Sequence, residues 1–242
     1  MNCYNFKGEV SVLIPVYNEE KKIDKTLDHL SFSWIKEIIV INDGSTDGTT
    51  EKISKYPITL INFNKNKGKG KAINRGLIEA KGDYILFLDG DLGKSVIHVE
   101  QLVNTVLENE YEMAVAILPI KGGGIGLLRY LAKHSLYLLT GEKMKAPLSG
   151  QRIFKKELLS IFYPLEEGFG MEMGMNLQMM VNSVDYKEIP CPFSHNYTGH
   201  SITDYIHRSK QLIAVARVII KNRKLVYDRF KALFKKTETD YS

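Results

Sequence analysis

The sequence predicts an α/β fold: a mostly parallel central sheet with helices on both faces, followed by a C-terminal helical extension. Three observations carry that prediction. Short continuous apolar runs, which suit strands covered on both faces, alternate with segments of helical period through the first half of the chain. Polar turns rich in Gly, Asn and Asp follow these runs, at the strand ends where open α/β sheets bind ligands. From Ile202 the pattern turns helical and stays so to about Lys235.

Val10 to Pro15 reads as the first buried strand, and Lys22 to Leu30 as a helix with Ile23, Leu27 and Leu30 on one face. Glu37 to Ile41 is a second strand, and the polar turn after it ends at Asp47, an N-cap for a helix over Thr49 to Lys55. Ile58 to Asn62 is the third strand, Gly68 to Ala80 a lysine- and glycine-rich loop opening into a helix, and Tyr84 to Leu88 the fourth strand. The second half is less regular. It reads as a helix over Val96 to Asn109, a strand over Met113 to Ile120, and a helix from the Gly122–Gly126 run to about Thr140. Leu148 to Arg152 leads into a strand, Gly168 to Asn182 is a methionine-rich helix, and Tyr186 to Pro190 is a strand ending near His195.

The chain has 242 residues, 44% of them hydrophobic and 25% charged, which fits one folded domain over 1–200 and a helical tail over 201–242. Two cysteines, Cys3 and Cys191, exclude a disulfide framework, and no Cys/His spacing suits zinc. That cysteine usage leads to the expectation of a reducing, cytoplasmic setting, and Met1 to Glu9 is polar without the apolar stretch of a signal peptide. The apolar run Leu212 to Ile220 is broken by Arg217 and falls short of the roughly 20 residues that span a bilayer. The net charge of +5 suits an anionic substrate or a membrane surface and does not indicate nucleic acid.

Chemistry concentrates at the turns. Asp89-Gly90-Asp91 places two carboxylates at a strand end, where their mutual repulsion calls for a divalent cation or a bound group. Such oxygen ligands suit Mg²⁺ or Mn²⁺ held together with phosphates. A polar turn with Asp as a helix cap is the plainer alternative. Asp43, inside Asn42-Asp43-Gly44-Ser45-Thr46-Asp47-Gly48, can accept a hydrogen bond from a base or sugar, or form an ordinary Asx turn. Lys65, Lys67, Lys69 and Lys71 lie on a glycine-bearing loop at a helix start, a site for pyrophosphate or a solvated basic loop.

Ile14-Pro15-Val16-Tyr17-Asn18-Glu19, Ile41 to Asp47, Asn66-Lys67-Gly68-Lys69-Gly70 and Leu88-Asp89-Gly90-Asp91 together resemble the successive motifs of family 2 glycosyltransferases with the GT-A fold, over roughly residues 8–95. The resemblance implies a nucleotide-sugar donor, with UDP favoured, and a divalent metal. It implies that Pro15, Val16, Tyr17, Asn18, Glu19 and Asp43 hold base and ribose. By the same likeness Lys69 lies near the nucleotide, Asp89 and Gly90 face the donor, and Asp91 reaches the metal.

The second half resembles small glucosyl-3-phosphoglycerate synthase-like enzymes through Gly122-Gly123-Gly124, Ala146 to Gln151, Gly168 to Glu172 and a downstream His. That likeness implies an acceptor site at Gly123, Gly124, Leu148, Ser149 and Gly150. It also implies Glu172 as the catalytic carboxylate and His195 as the metal ligand beside Asp91. Ile125 and Leu127 stand where those enzymes grip phosphoglycerate, and Gln151 replaces an acidic residue, so the acceptor points elsewhere. A Gln-x-x-Arg-Trp motif is missing, which argues against chain synthesis.

The expectation is a non-processive transferase moving a sugar to a hydroxyl of a small-molecule or lipid-linked acceptor, retaining or inverting. A sugar-1-phosphate nucleotidyltransferase and a non-catalytic nucleotide- or lipid-binding module are the alternatives. Residues 208–236 carry ten basic residues, Arg208 to Lys236, against Asp228. They read as a docking helix or homodimer contact, or as a peripheral contact with the inner membrane face.

Overall fold

The computed structural model describes residues 8–108, 111–119, 126–167, 170–194 and Ile220. Strands β1 (Val10–Val16), β2 (Ile35–Asn42), β3 (Thr59–Asn62), β4 (Tyr84–Phe87), β5 (Met113–Ile117), β6 (Arg152–Lys155) and β7 (Tyr186–Pro190) form one seven-stranded sheet. Their order is β3-β2-β1-β4-β6-β5-β7. β1 pairs parallel with β2 and β4, β2 with β3, and β5 with β7, while β6 runs against both of its neighbours. Because β6 is reversed, its first residue Arg152 lies opposite Phe87, the last residue of β4. The segment entering β6 therefore meets the loop leaving β4.

Side chains alternate across the pleat and build two apolar layers. Leu13, Ile39, Ile41, Ile85 and Phe87 face helices α3 (Lys69–Glu79), α5 (Gly126–Thr140) and α7 (Gly170–Val181), meeting Ile73, Leu136 and Met175. Val12, Ile14, Val40 and Leu86 face α1 (Ile23–Asp28), α2 (Thr49–Ile53) and α4 (Val99–Leu107), meeting Ile23, Ile53 and Val103. Each fully buried side chain of this size contributes about 1.5–3 kcal/mol relative to exposure. The methionines of α7 at 171, 173, 175, 179 and 180 are all buried, filling the space between helix and sheet.

Three details depart from the sequence expectation. The helix expected over Val96 to Asn109 opens as a 3₁₀ turn over Gly93–His98 before α4. Buried Thr26 Oγ1 on α1 explains the tight entry: it donates to the Gly90 carbonyl and accepts the Gly93 N–H, both at 2.8 Å, which pins the chain as it turns. The N-cap position of α2 is Gly48, not Asp47. Asp47 instead forms an Asx turn, accepting the Thr49 N–H at 3.0 Å. A short helix, α6 (Leu159–Phe162), was not anticipated, because four residues are too few to show a period. The helix expected from Ile202 to Lys235 lies outside the described residues apart from Ile220. No helix among the described residues is long and apolar enough to cross a membrane.

Candidate functional site

The loops leaving β1, β2 and β3 are tied to one another by side chain to backbone hydrogen bonds. Asn18, in the left-handed region at φ +56° that Asn tolerates, accepts the Thr46 N–H at 2.8 Å and donates its own N–H to Ser45 Oγ at 3.0 Å. The Glu19 N–H donates to Thr49 Oγ1 at 2.9 Å. Asp43 is buried and accepts from the loop before α3: the Lys67 N–H at 2.7 Å and the Gly68 N–H at 2.8 Å. Gly44 sits at φ +74°, and a Cβ there would come within 2.5 Å of the Lys65 backbone. Close approach of these two loops therefore requires glycine.

A second cluster forms where β4, α3, α7 and the segment entering β6 converge. Lys69 begins α3, and its Nζ donates to Asp89 Oδ1 at 2.6 Å and lies 3.7 Å from Glu172 Oε1. Gln151 Nε2 donates to the other oxygen of Asp89. Glu172, in the first turn of α7, is buried. Gly150 is the hinge of this cluster: a Cβ there would collide with Lys69 Nζ and stand 3.5 Å from Asp89 Oδ1 and 3.6 Å from Glu172 Oε1. Burial alone would pull the Lys69 ammonium down, but the Asp89 and Glu172 carboxylates beside it outweigh that and hold it above the usual lysine range. Lys69 stays a cation. Charge-assisted hydrogen bonds of the Lys69–Asp89 type contribute about 1.5–3 kcal/mol.

Carboxylates crowd the same edge. Burial pushes Glu19 up to about 7, helped by Asp91 and opposed by Lys22, with Asp89 and Asp47 adding to the rise. Among the described residues no group of three His, Cys, Asp or Glu is gathered closely enough to hold an ion alone. A Mg²⁺-type ion needs only one or two carboxylates when phosphates and water complete its shell. The oxygen donors and the surplus of negative charge around Asp91 fit such an ion.

The expected site residues divide cleanly. Pro15 lies within β1, near its end, while Tyr17, Asn18, Glu19, Asp43, Lys69, Asp89, Gly90, Asp91, Leu148, Ser149, Gly150 and Glu172 lie in the strand-end loops, at the start of α3, in the segment entering β6 or in the first turn of α7. Tyr17 is exposed, as a side chain open to a ligand must be, whereas Val16 is buried and a Cβ on Gly90 would meet its Cγ1 at 2.7 Å. Val16 thus supports the loop from below. Gly123, Gly124 and His195 fall outside the described residues.

Two contributors escaped the sequence reading. Gln151 stood out only as a departure from an acidic pattern, yet it fixes Asp89. Arg152, opening the short strand Arg-Ile-Phe-Lys, is fully buried beside the cluster. A charged residue at the head of an Ile-Phe run was the signal that could have found it.

The sequence profile described as Glycosyl transferase family 2 matches residues 11–166. The chain belongs to this family. Dolichol-phosphate mannosyltransferase of Pyrococcus furiosus is 35% identical to it, over 80% of this chain and 58% of that protein. Dolichyl-phosphate beta-glucosyltransferase of Saccharomyces cerevisiae is 28% identical, over 85% of this chain and 73% of that one. The chain thus spans little more than half the length of the mannosyltransferase. Glucosyl-3-phosphoglycerate synthase from Mycobacterium tuberculosis, solved with Mn²⁺, UDP and phosphoglyceric acid, matches the fold with a TM-score of 0.73 at 24% identity, over 87% of this chain and 78% of that one. The mostly parallel α/β architecture expected from the sequence is the family 2 glycosyltransferase fold.

Proposed function

We propose that this family 2 chain transfers a sugar from a nucleotide-diphosphate sugar, UDP-linked by preference, to the phosphate oxygen of a polyprenyl phosphate. The observation that carries the reading is the Lys69 ammonium held between Asp89 and Glu172 at the carboxyl edge of the sheet. A fixed cation there stabilises negative charge as the sugar leaves its diphosphate, and it needs no reorganisation at the moment of reaction. Asp89, locked by Lys69 and Gln151, orients the donor sugar or ribose. The Asn18–Thr46 and Asp43–Gly68 contacts preform the cleft for base and ribose.

Asp91, with His195, would hold Mg²⁺ or Mn²⁺, whose charge offsets that of the departing diphosphate. The acceptor class rests on the names of the dolichol-phosphate relatives. A phosphate acceptor is largely ionised at neutral pH, its second pKa being about 6, so it needs no base. Glu172 then acts chiefly by fixing Lys69. A hydroxyl acceptor would instead require Glu172 as general base.

One experiment tests both levels. Thermal shifts with UDP, GDP, dTDP and ADP, each with and without Mn²⁺, should show a metal-dependent rise for UDP, about 2.7 kcal/mol at a hundred times the dissociation constant. UDP-glucose and UDP-galactose with undecaprenyl phosphate should then yield a glycolipid. Glu172→Gln should slow that transfer about tenfold, whereas a hydroxyl acceptor predicts a loss of about 10²–10⁴. No shift with any diphosphate removes the donor site from the proposal.

A further inference from the structure

We propose that Arg152 is a positioning residue for transfer, acting through Glu172 and through the Ser149–Gln151 backbone that meets Asp89 and Lys69; this rests on the transfer reading above. Arg152 is fully buried at the first position of β6. Its Nη1 donates to Asn176 Oδ1 at 3.1 Å and its Nη2 to the Ser149 carbonyl, both neutral oxygens, while Nε has no hydrogen-bond partner. Asn176 lies one helical turn after Glu172 on α7, and its Nδ2 donates to the Pro147 carbonyl at 2.7 Å. The guanidinium thus joins α7 to the segment running from Pro147 into β6. That segment carries Gly150 against Lys69 and Glu172, and Gln151 onto Asp89.

Energetics make this arrangement expensive for stability alone. Burial pulls the Arg152 guanidinium down to about 10, opposed by the Glu172 carboxylate. A buried cation with neutral hydrogen-bond partners and one unpaired nitrogen carries a desolvation cost that its contacts offset only in part. Its compensating effect is local. Glu172 Oε1 lies 3.7 Å from Lys69 Nζ, and the Arg152 guanidinium is tied to α7 one turn further on, with Asp89 held by the same lysine. Arg152, through Asn176, holds the turn of α7 that follows Glu172, while Lys69 meets Glu172 and Asp89, and these links together fix where the Lys69 ammonium stands.

The test compares wild type with Arg152→Met, Arg152→Lys and Asn176→Asp, the last giving the guanidinium a carboxylate partner one turn from Glu172. Melting temperature, UDP–Mn²⁺ affinity by calorimetry, and kcat and KM with UDP-glucose and undecaprenyl phosphate are measured for each. In Arg152→Met, kcat should fall on the order of a hundredfold while UDP affinity stays within about twofold and melting within a few degrees. Arg152→Lys should recover about a tenth of the lost rate or more, and Asn176→Asp should lower kcat with the fold intact, even if the methionine variant does not fold. Unchanged kcat in both Arg152→Met and Asn176→Asp overturns the positioning role. So does a parallel collapse of melting, affinity and rate in Asn176→Asp, which marks a merely structural link. Wild type that binds no UDP and transfers to no acceptor overturns the transfer reading, and this proposal falls with it.

Discussion

The two halves of the site are held by different means. On the side proposed to hold the donor, between β1, β2 and α3, contiguous loops are laced by backbone N–H groups: Lys67 and Gly68 to Asp43, Thr46 to Asn18, Glu19 to Thr49. On the other side, where the start of α3 meets β4, β6 and α7, the charged side chains of Lys69, Asp89, Arg152 and Glu172 are brought together from distant parts of the chain, with the Gln151 amide bonded to Asp89. A backbone frame resists distortion, and damage to it registers as lost stability. A cluster of side-chain charges can shift by an ångström without unfolding anything, and damage to it registers as lost rate. The halves should therefore fail differently.

Two alanine substitutions at glycine sharpen that contrast. Gly150→Ala places a methyl group on Lys69 Nζ, the mobile end of a flexible side chain. The lysine must swing off Asp89, so transfer should drop on the order of a hundredfold with melting changed by only a few degrees. Gly44→Ala puts a methyl group against the Lys65 and Asn66 backbone at φ +74°, where nothing flexible can yield. It should destabilise the protein by about 1–3 kcal/mol, with transfer per folded molecule falling less than in Gly150→Ala. Urea melts and initial rates on both variants decide the matter. If Gly150→Ala unfolded the protein while Gly44→Ala spared it, the distinction between the halves would be wrong.

The same contrast explains what the sequence could disclose. Each donor-side loop is a short turn directly after an apolar strand, so Asn18 and Asp43 announce themselves by position, as does Asp89 after β4 on the other side, and the parallel order of β1 to β4 follows from the strand–helix alternation. Pairing of β6 between β4 and β5 does not follow from local pattern, because register between distant strands is set by tertiary packing. The contact of Gln151 with Asp89, 62 positions away, depends on that pairing and was invisible. So was Arg152, whose Asn176 partner lies 24 residues further along. Glu172 was reachable through family resemblance, although the methionines around it read simply as core.

The smallest expected effect lies in the donor half and is read by pH. Glu19 is raised from 4.5 to about 7, foremost by burial and next by Asp91. The folded chain therefore keeps a proton that the unfolded chain has shed across that interval, and stability falls with rising pH wherever the native state binds more protons. Glu19 imposes no penalty below 4.5, and its penalty grows until pH passes about 7. Glu19→Gln removes this proton exchange. In EDTA, the variant should match wild type in melting temperature near pH 4.5 and become progressively the more stable of the two towards pH 7.5, with the gap levelling off beyond that. Carboxylates remote from this edge cancel between the two proteins, so the difference curve reports Glu19 together with the neighbours coupled to it, Asp91, Asp89 and Asp47. Saturating UDP with Mn²⁺ should narrow the gap, since a divalent cation held at Asp91, as proposed, would relieve the crowding that Glu19 feels. A difference curve that is flat from pH 4.5 to 7.5 would show that the carboxylates at this edge do not share a common field, and the case for a cation among them would weaken with it.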